Sequence, residues 1–491
     1  MDYIHHILDN AASKCKTKTA IITRDEIITY QQVQEISYQF GNFLLGKGLK
    51  KGDRILLKLP NSIDLICLLI GISRVGGISV IINPETTKYN LDYIISDCRP
   101  KLIICEENNP FKISNSSIIF MNSIKKEIKN YDKHKLLSDE IEKIDLALLI
   151  YTSGSTGRPK AVVSTHSNVK FCTKEISEVL EINDRDVIGN FLPFSFDYGL
   201  YQIFLSFYNK ATLALGEVCL AGVQFVKFLK EWKVTVLPSM PHLTEGLIKL
   251  LPRYCNYIPL RIITNTGESL PLSYISKLEE LIPNCEIYPM YGLTECKRVS
   301  ILKPDEIANK PGSVGKPLRG VKCYVVNEQG NKLKAGEIGE LVVEGPNVMA
   351  GYWNNNTLTN EKFKKNIHGE INKLYTGDSF KIDGDGYLYF IGRKGDYYKQ
   401  KGFRISSKEI EDAVYNLNLA EIAILIPPDD LVNKSVLFLK TEKSLSYVKE
   451  KLIERIEPYK MPDEILILKK MPVSMNKKID KSKLKEIRSQ I

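Results

Sequence analysis

The chain has 491 residues, of which 43% are apolar and 26% are charged. These fractions are typical of soluble globular proteins and exclude collagen-like, low-complexity and broadly disordered chains. Its 68 Lys and Arg residues outnumber its 58 Asp and Glu residues, giving a net charge of +10 that favours anionic partners without naming one.

Short β-branched runs alternate with helical patterns over roughly the first 300 residues. A helical pattern covers 29–48, and apolar runs that predict strands begin at Arg54, Ile78, Lys101, Leu146 and Val234. Apolar runs separated by helix-length segments predict βαβ units and a mostly parallel sheet. The expected fold class is therefore α/β.

The most apolar stretch, Ile63–Ile82, includes Asp64, Arg74 and three glycines. These residues favour a buried helix that runs into a strand over a membrane span. The N-terminal segment is charged and amphipathic and lacks the apolar core of a signal peptide. We expect a cytoplasmic protein that does not cross a membrane.

The pattern changes after about residue 300. Strand-like pieces between Gly315 and Phe390 are separated by glycine and charged residues, which predicts antiparallel sheet, in the form of a small barrel. After Gly392 a final unit of about 100 residues reads helix, strand, strand, helix, strand and a lysine-rich tail, which predicts a small α+β domain.

The ten cysteines are scattered and form no C-x-x-C pair, so the sequence predicts reduced thiols rather than a disulfide framework or a zinc knuckle. Cys296 lacks a basic partner in the sequence and is expected to be a passive thiol. None of the six histidines stands in an obvious Ser/His/Asp or Cys/His arrangement. His166 and His242 are interpreted as structural or pocket-lining residues.

The strongest local signal is the segment 151–160, YTSGSTGRPK, directly after the apolar run LALLI. A strand that leads into a Gly/Ser/Thr loop ending in lysine presents backbone N–H groups, hydroxyls and one ammonium to a phosphate chain. It is not a Walker A loop, because Arg158 and Pro159 precede the lysine and Ala161 follows it. The alternative is a flexible surface turn.

With this segment, the chain resembles the adenylate-forming superfamily of acyl-CoA synthetases, luciferases and peptide-synthetase adenylation domains. YTSGSTGRPKAVVSTH matches the superfamily's phosphate loop, and the remaining signatures follow in order: NTGESL from Asn265, YGLTE from Tyr291, YTGD from Tyr375, GRKGDYYKQKGFRIS from Gly392 and PVSMNKKIDK from Pro472. The resemblance spans essentially the whole chain.

The resemblance implies a large multi-lobed N-terminal domain, 1–392, made of parallel α/β sheets and the small barrel. It also implies a small, mobile α+β C-terminal domain, 393–491. The implied reaction is attack by a substrate carboxylate on the α-phosphorus of ATP, which releases pyrophosphate and leaves an acyl-adenylate. A carboxylate is already ionised at neutral pH, so the step needs no general base and depends on positioning and charge.

The resemblance also implies a set of nucleotide-site residues. Tyr291 offers an aromatic face to adenine, and Asp378 and Arg393 suit the ribose hydroxyls. Glu295 suits Mg²⁺, and Thr294 the α-phosphate. The remaining ATP- or AMP-binding residues are Thr152, Ser153, Gly154, Ser155, Thr156, Gly157, Lys160, Asn265, Gly267, Glu268 and Gly292.

Lys478 corresponds to the superfamily's catalytic lysine, which bridges the carboxylate and the α-phosphate, and it joins Thr294, Glu295 and Lys160 as an implied catalytic residue. The residue before it is Lys477, where the family usually has glycine. The family's C-terminal domain pivots at a position that is Gly395 here, and glycine tolerates the change in φ and ψ that a hinge requires.

The segment 193–200, PFSFDYGL, is the main indication of the acid. Phe196 corresponds to the aromatic gate of the acyl pocket, and Asp197 to the aspartate with which amino-acid adenylation domains bind the substrate's ammonium. The alternative is that Asp197 is a helix N-cap. Position relative to the motifs places four more residues in the pocket: Tyr198, Tyr201, Tyr288 and Met290. Their bulk predicts a small or cyclic substrate rather than a long chain, and FDYGLYQ most resembles stand-alone enzymes that load proline onto a carrier protein.

The expected acceptor is a phosphopantetheine thiol on a carrier protein that acts in trans, because no carrier domain is recognised in the sequence. Such carriers are acidic as a rule, and the segment after Gly392 holds 21 basic and 15 acidic residues. Use of free coenzyme A, as in acyl- or aryl-CoA synthetases, is the main alternative. A luciferase-like oxidative step and a non-catalytic ATP-binding regulator also stay open, whereas the sequence shows no nucleic-acid-binding motif.

Overall fold

The computed structural model describes residues 3–107, 117–136, 146–153, 159–217, 222–254, 257–268, 270–366, 369–393, 397–400, 403–428, 432, 434–456, 460–474 and 478–490. Its α-helices are α1 (Ile4–Lys14), α2 (Tyr30–Gly46), α3 (Ile63–Arg74), α4 (Lys88–Cys98), α5 (Met121–Glu127), α6 (His166–Leu180), α7 (Asp197–Tyr208), α8 (Val223–Glu231), α9 (Pro241–Tyr254), α10 (Leu272–Leu281), α11 (Asn356–Lys362), α12 (Ser407–Asn416), α13 (Leu445–Ile453) and α14 (Lys481–Ser489).

The strands are β1 (Thr19–Ile22), β2 (Ile27–Thr29), β3 (Arg54–Lys58), β4 (Ile78–Ile81), β5 (Leu102–Cys105), β6 (Ser117–Phe120), β7 (Leu146–Ser153), β8 (Pro159–Thr165), β9 (Val187–Asn190), β10 (Thr212–Leu215), β11 (Val236–Ser239), β12 (Ile262–Asn265), β13 (Glu286–Tyr291), β14 (Ser300–Ile301), β15 (Lys316–Pro317), β16 (Lys322–Val326), β17 (Ile338–Glu344), β18 (Phe363–Lys365), β19 (Ile371–Ile382), β20 (Leu388–Arg393), β21 (Tyr397–Gln400), β22 (Phe403–Ser406), β23 (Ile422–Ile426), β24 (Val436–Lys440) and β25 (Glu464–Ile467).

Two large sheets form the first part of the molecule and confirm the α/β prediction. One has the order β6-β5-β3-β4-β7-β8, with parallel neighbours except for the antiparallel β7–β8 pair. The other has the order β15-β14-β13-β12-β11-β9-β10-β1-β2, parallel from β13 through β1. Strands of parallel sheets are buried on both faces, which explains their continuous apolar runs.

The helix expected at 29–48 is α2, and its start follows from local sequence. Thr29 and Gln32 form a capping box, in which each side chain accepts a hydrogen bond from the other residue's backbone N–H. The apolar stretch Ile63–Ile82 divides into α3 and β4, as expected. Among the described helices, none has both the length and the apolar character that crossing a membrane requires.

The glycine-punctuated region from Gly315 to Phe390 forms a five-stranded sheet, and the antiparallel pairing expected there is confirmed. Among the described residues the strand pairings leave this sheet open, so they do not show the closed small barrel that was also expected. Its central strand is the twelve-residue β19, which pairs with β17, β18 and β20. The register places Asp378 of β19 opposite Arg393 of β20. Two residues expected to hold the ribose therefore lie on neighbouring strands.

The C-terminal segment is an α+β unit, as the sequence predicts. It contains the β21–β22 hairpin and a sheet of order β23-β24-β25, with α12 and α13 packed on a core of their own. α14 follows Lys478, and Asp480 caps its N-terminus through the N–H groups of Ser482 and Lys483. This cap fixes the direction in which the chain leaves the loop that carries Lys478.

Candidate active site

The candidate site lies where the strands of the nine-stranded sheet end. β11, β12 and β13 are parallel, so the segments that follow β12 and β13 leave from the same edge of the sheet. These segments carry NTGE and YGLTE, two of the motifs identified in the sequence. Crevices outside the carboxyl ends of parallel strands are the usual ligand sites of α/β folds.

Lys160, at the start of β8, and Glu295, after β13, form the first ion pair of the site, here called the phosphate-side pair. The Lys160 Nζ lies 2.8 Å from the Glu295 Oε1 and 2.8 Å from the hydroxyl of Tyr352, which in turn donates to the same carboxylate oxygen at 2.8 Å. Burial raises the pKa of Glu295, but the charge and hydrogen bond of Lys160 outweigh it and hold that pKa below its ordinary value. Glu295 is therefore held as a carboxylate beside the Lys160 Nζ.

The rest of the phosphate loop is described in part. The Thr152 hydroxyl donates to the Lys160 carbonyl at 3.5 Å, and Ser153 pairs with Pro159 in the β7–β8 ladder. Thr294 lies beside Glu295 in the partly buried turn after β13. The predicted contacts of Gly154, Ser155, Thr156 and Gly157 fall outside the described residues.

Tyr291 and Asp378, expected at adenine and ribose, contact each other. The Tyr291 hydroxyl donates to the Asp378 Oδ2 at 2.7 Å, and both residues are buried. Phe380 and Phe390 surround the Tyr291 ring, with centroids 4.6 and 6.3 Å away. The side chain of Arg393 lies outside the description, so its ribose contact stays a prediction.

Lys478 reaches the same edge of the sheet from the C-terminal unit. A Cβ placed on Gly267 would lie 3.4 Å from the Lys478 Nζ and 3.8 Å from the Phe196 ring. The Lys478 Nζ lies 4.9 Å from the centroid of that ring, and the Ile479 N–H donates to the Glu268 Oε1 at 3.4 Å. Burial raises the pKa of Glu268, while the charge of Lys478 opposes this shift. The structure therefore brings three predicted segments together around Gly267: the segment after β12, the segment that contains Phe196 and the C-terminal segment that contains Lys478.

Asn265 completes this edge at the end of β12. Its side chain is 2% exposed, and its Nδ2 has no hydrogen-bond partner among the described residues. A buried amide donor without a partner is available to a ligand.

Asp197 and Lys297 form the second ion pair, here called the acid-side pair. The Lys297 Nζ lies 3.1 Å from the Asp197 Oδ2 and donates to the Asp197 carbonyl at 2.9 Å, with the two side chains 2% and 8% exposed. Asp197 is the first residue of α7, and Phe196 is the N-cap without a side-chain capping bond. The alternative reading of Asp197 as the N-cap is therefore wrong.

The FDYG segment must be compact to place Asp197 in this position. A Cβ on Gly199 would lie 2.5 Å from the carbonyl oxygen of Pro193, so the turn before α7 closes only with glycine there. The Asn190 amide holds the same turn by donating to the carbonyls of Leu192 and Gly199. The sequence pattern therefore determines where the carboxylate of Asp197 lies.

The other predicted pocket residues separate into two groups. Tyr198 bonds through its hydroxyl to Thr264 on β12, and the Lys297 Nζ lies 4.4 Å from the centroid of the Tyr201 ring. Tyr288 and Met290 are buried on β13, but the Tyr288 hydroxyl is directed to Glu286 at the start of that strand. Tyr198 and Tyr201 therefore lie around Lys297, the partner of Asp197, whereas the hydroxyl of Tyr288 is bound at the other end of its strand.

Lys297 and Arg298 are the site residues that sequence reasoning missed. The Arg298 side chain is buried, its Nη1 donates to the Thr266 hydroxyl at 2.5 Å, and its Cζ lies 5.5 Å from the Tyr198 ring centroid. Burial lowers the pKa of Lys297 to about 8 although Asp197 opposes the shift. The available signal was the pair of basic residues between YGLTE and the apolar β14.

The loop from Tyr291 to Arg298 carries both ion pairs, and its shape depends on Gly292. A Cβ on Gly292 would lie 1.9 Å from the Lys297 carbonyl oxygen, so the loop folds back on itself only with glycine at this position. Lys297 itself has a left-handed φ of 50°. Cys296, between the two ion-pair residues, is fully buried, and burial raises its thiol pKa, in agreement with a passive role.

The structure describes the side chain of one of the two histidines that were interpreted as structural or pocket-lining. His166 is buried and accepts a hydrogen bond from the Ile4 N–H at 3.3 Å, which agrees with a structural role. The side chain of His242 lies outside the description. Eight of the ten cysteines are described, and all eight are free thiols.

The C-terminal unit also contacts the N-terminal part through charged residues away from Lys478. Glu421, before β23, accepts from Lys249 of α9 and pairs with Lys440 at 2.6 Å. The Tyr274 hydroxyl of α10 donates to the Glu421 carbonyl at 3.2 Å. Gly395, the expected hinge, is outside the described residues.

Comparison with known proteins agrees with this geometry. The sequence profile of AMP-binding enzymes matches residues 8–353. Bacitracin synthase 2 from Bacillus licheniformis is 27% identical over 98% of this chain. The chain spans only 18% of the length of that synthase, so it resembles a segment of a much longer protein.

Two solved structures resemble this fold, one over most of the chain and the other over nearly all of it. VinN, in complex with L-aspartate, is 32% identical with a TM-score of 0.73, over 79% of this chain and 98% of its own. The anthranilate CoA ligase AuaEII, in complex with anthranoyl-AMP, is 24% identical with a TM-score of 0.88, over 99% of this chain and 97% of its own. At the latter identity the likeness concerns the fold.

Proposed function

The chain belongs to the AMP-binding enzyme family, whose members carry out ATP-dependent adenylation of acids, and from this premise we propose that its acid is an amino acid. We further propose that the aminoacyl group passes from AMP to the phosphopantetheine thiol of a carrier protein. The observation that carries the first proposal is the buried carboxylate of Asp197 next to Phe196.

A buried carboxylate is costly in an apolar pocket unless a cation compensates it. Lys297 supplies one cation at 3.1 Å from the Oδ2, and the second carboxylate oxygen suits the substrate's ammonium. An acid without an amine would place its own apolar or anionic groups against this carboxylate. The L-aspartate bound to VinN supports an amino acid as the ligand of such a pocket.

In the first half-reaction, a carboxylate oxygen of the amino acid forms a bond to the α-phosphorus of ATP. The bond between the α-phosphorus and the bridging oxygen of pyrophosphate breaks, and no proton is transferred. Lys478 lies beside Gly267 and Phe196, where its charge stabilises the negative charge that gathers between carboxylate and phosphate. We assign Thr294 to the α-phosphate, because it precedes Glu295 in the turn after β13.

The triphosphate is assigned to the phosphate-side pair and the loop before it. Lys160 can exchange its contact with Glu295 for phosphate oxygens, since the Lys160 side chain is 25% exposed. Mg²⁺ binds proteins through one or two carboxylates together with substrate phosphates, and the ionised Glu295 fits that role. When bound, the ion neutralises charge on the phosphates of ATP. Asp378 and Tyr291 orient the nucleoside.

In the second half-reaction, the sulfur of the phosphopantetheine thiol forms a bond to the acyl carbon while the bond from that carbon to AMP breaks. The thiol proton leaves to solvent. For this step we propose that the C-terminal unit reorients about Gly395. Its excess of basic residues suits an acidic carrier, and the likeness to a segment of bacitracin synthase 2 supports a carrier as acceptor.

ATP–pyrophosphate exchange across all the amino acids, with benzoates and short fatty acids alongside, tests the acid. We expect exchange with amino acids only. The panel includes proline, because the FDYGLYQ segment resembles that of enzymes that load proline. Asp197→Asn should lower exchange with amino acids by about 10²- to 10³-fold, because it removes a charge-assisted contact and leaves Lys297 unpaired. Exchange confined to acids that lack an amine would exclude this role of Asp197.

The acceptor is tested separately, with preformed aminoacyl-adenylate offered to phosphopantetheinylated carriers and to coenzyme A at equal thiol concentration. Thioester formation on a carrier is expected. Thioester formation on coenzyme A alone would identify an acyl-CoA synthetase instead and would leave the adenylation proposal intact.

A further inference from the structure

The acid-side pair is part of a larger buried cluster whose charges do not balance. Asp197 contributes one negative charge, and Lys297 and Arg298 contribute two positive charges, all of them on buried side chains. Among the described residues, the other groups that act most strongly on the two cations are Tyr198 and the thiols of Cys172 and Cys296, which burial keeps neutral. The cluster therefore has one positive charge in excess.

Arg298 also has hydrogen-bonding capacity that the described residues do not use. Its Nη1 donates to the Thr266 hydroxyl, but its Nε, although shielded from solvent, has no acceptor among the described residues. The N–H groups of a guanidinium form a fixed fork that matches the two oxygens of a carboxylate. A carboxylate would satisfy both the unused donor and the excess charge.

The cluster is close to the reacting centre. Arg298 donates to Thr266, and the next residue, Gly267, lies beside the Lys478 Nζ. Asp197 follows Phe196, the ring over which the same Nζ lies. A group bound by Arg298 therefore belongs to the molecule whose carboxylate is activated.

We infer that Asp197, Lys297 and Arg298 form a specificity site for an amino acid that carries a second carboxylate. This inference rests on the proposed function and names its substrate class. Asp197 binds the ammonium, Lys297 holds the Asp197 carboxylate in place, and Arg298 together with Lys297 binds the carboxylate that is not activated. With a neutral amino acid bound, the substrate ammonium, Lys297 and Arg298 would face only one carboxylate, that of Asp197. An acidic amino acid brings a second carboxylate, which offsets the excess positive charge.

The first test is exchange by the wild-type enzyme with acids matched in shape. L-Aspartate and L-glutamate are compared with L-asparagine, L-glutamine and L-proline, and succinate represents a dicarboxylate without an amine. The acidic amino acids should exceed their amides by about 10- to 100-fold in kcat/KM, since a charged hydrogen-bonding site rejects a ligand that leaves it unsatisfied.

The second test is Arg298→Met, which keeps the stem of the side chain and removes the charge and the donors. For acidic amino acids we expect KM to rise by about 10- to 100-fold, with a change of less than about threefold for the matching amides. Arg298→Lys should recover part of the loss, because it restores the charge without the fork. Arg185→Met, at an exposed arginine, should leave all substrates unchanged.

The outcomes separate the inference from the proposed function. Preference for neutral amino acids, or equal losses for acids and amides in Arg298→Met, would overturn the inference and leave aminoacyl adenylation standing. Exchange with succinate but with no amino acid would overturn the proposed function itself. If Arg298→Met does not fold, as judged by thermal melting, the wild-type comparison decides together with Arg298→Lys, for which the loss should again be larger for the acidic amino acids than for their amides.

Discussion

Two lysine–carboxylate pairs depend on one loop, Tyr291–Arg298, and they differ in exposure. In the phosphate-side pair, the Lys160 and Glu295 side chains are 25% and 14% exposed, and Tyr352 joins them. In the acid-side pair, the side chains of Lys297 and Asp197 are 2% and 8% exposed, and Arg298 adds a third charge. Solvent reaches the phosphate-side pair, whose two charges cancel. The acid-side pair is enclosed, and with Arg298 its charges leave one positive charge in excess.

This difference indicates different tasks. A balanced pair that water reaches can exchange one partner for a phosphate at little cost, so the phosphate-side pair suits a ligand common to every turnover. An enclosed cluster with an excess charge is satisfied only by a ligand of matching charge. Variants of the first pair should therefore affect all acids equally, and variants of the second should change the order of preference among acids.

The largest effect is expected from Lys478→Ala, which tests whether both pairs serve one reaction. Lys478 lies between the two ends of the site, over Phe196 and beside Gly267, so its loss removes charge stabilisation from the adenylation step for every acid. Exchange should fall by about 10²- to 10³-fold, while transfer from preformed adenylate continues.

Lys483→Ala is the matched control for this prediction, because Lys483 is exposed on the neighbouring α14. It should change neither half-reaction. Normal exchange in Lys478→Ala would show that another residue supplies the charge and that the C-terminal unit does not act in adenylation.

Breaking the phosphate-side pair should have the next largest effect. Lys160→Met removes the cation and Glu295→Gln removes the charge that fits Mg²⁺, so each should lower kcat/KM by about 10²-fold. The decisive measurement is the ratio of this loss between two acids, which should stay near one. Lys322→Met, at an exposed lysine on β16, serves as control, and a loss that differs tenfold between acids would refute the division of tasks.

Tyr352→Phe sharpens the same comparison by removing one hydroxyl from the phosphate-side pair. The hydroxyl links Lys160 and Glu295 at 2.8 Å to each, so its loss should lower kcat/KM about 3- to 10-fold without changing the preference for acids. Tyr387→Phe is a matched control, since that hydroxyl bonds to Glu306 at 2.8 Å outside the site. An altered order of acids in Tyr352→Phe would mean that the two pairs are coupled.

Both residues of the phosphate-side pair were named from sequence, although their contact was not, whereas only Asp197 and its tyrosine neighbours were named in the acid-side cluster. Lys160 and Glu295 stand 135 positions apart, yet each lies in a motif whose composition indicates phosphate or metal chemistry. The same holds for Tyr291 and Asp378, 87 positions apart. Motifs of this kind report contacts with a ligand that is always the same, so their residues are recognisable without knowledge of the packing.

Lys297 and Arg298 gave no such indication. In a chain with 68 basic residues, two more after a motif are indistinguishable from a solvated surface. Their burial results from the packing of the loop against α7, and a tight turn at Gly292 directs Lys297 to Asp197, 100 positions earlier. Asp197 was recognised as a candidate site residue. However, sequence patterns locate a helix start only to within one or two residues, so they could not tell whether Asp197 is the N-cap or, as in the structure, the first residue of α7.

Contacts between the C-terminal unit and the rest of the molecule were also beyond the sequence. Glu421 reads as an ordinary acid before a strand, whereas in the structure it accepts from Lys249 and pairs with Lys440. Burial raises its pKa, but the hydrogen bonds from the two lysines outweigh this and lower the pKa of Glu421 to about 2. Glu421 is therefore ionised at neutral pH, and it joins the unit that carries Lys478 to α9.

The smallest expected effect comes from Glu421→Gln, which leaves both ion pairs of the site intact and weakens the contact that holds Lys478 near them. Partly exposed ion pairs contribute about 0.5–1 kcal/mol, so adenylate formation should fall by about two- to fivefold. Transfer from preformed adenylate should not fall, because in our proposal it uses another orientation of the C-terminal unit.

Exchange and single-turnover transfer, measured on the same preparations, give the ratio that decides this prediction. Glu442→Gln, at an exposed glutamate of the same unit, should leave the ratio unchanged. Because the contact is electrostatic and partly exposed, added salt should reduce adenylation in the wild type more than in Glu421→Gln. Equal losses in both half-reactions would mean that Glu421 supports the fold of the unit, and Lys478 would then reach both ion pairs without this contact to hold it.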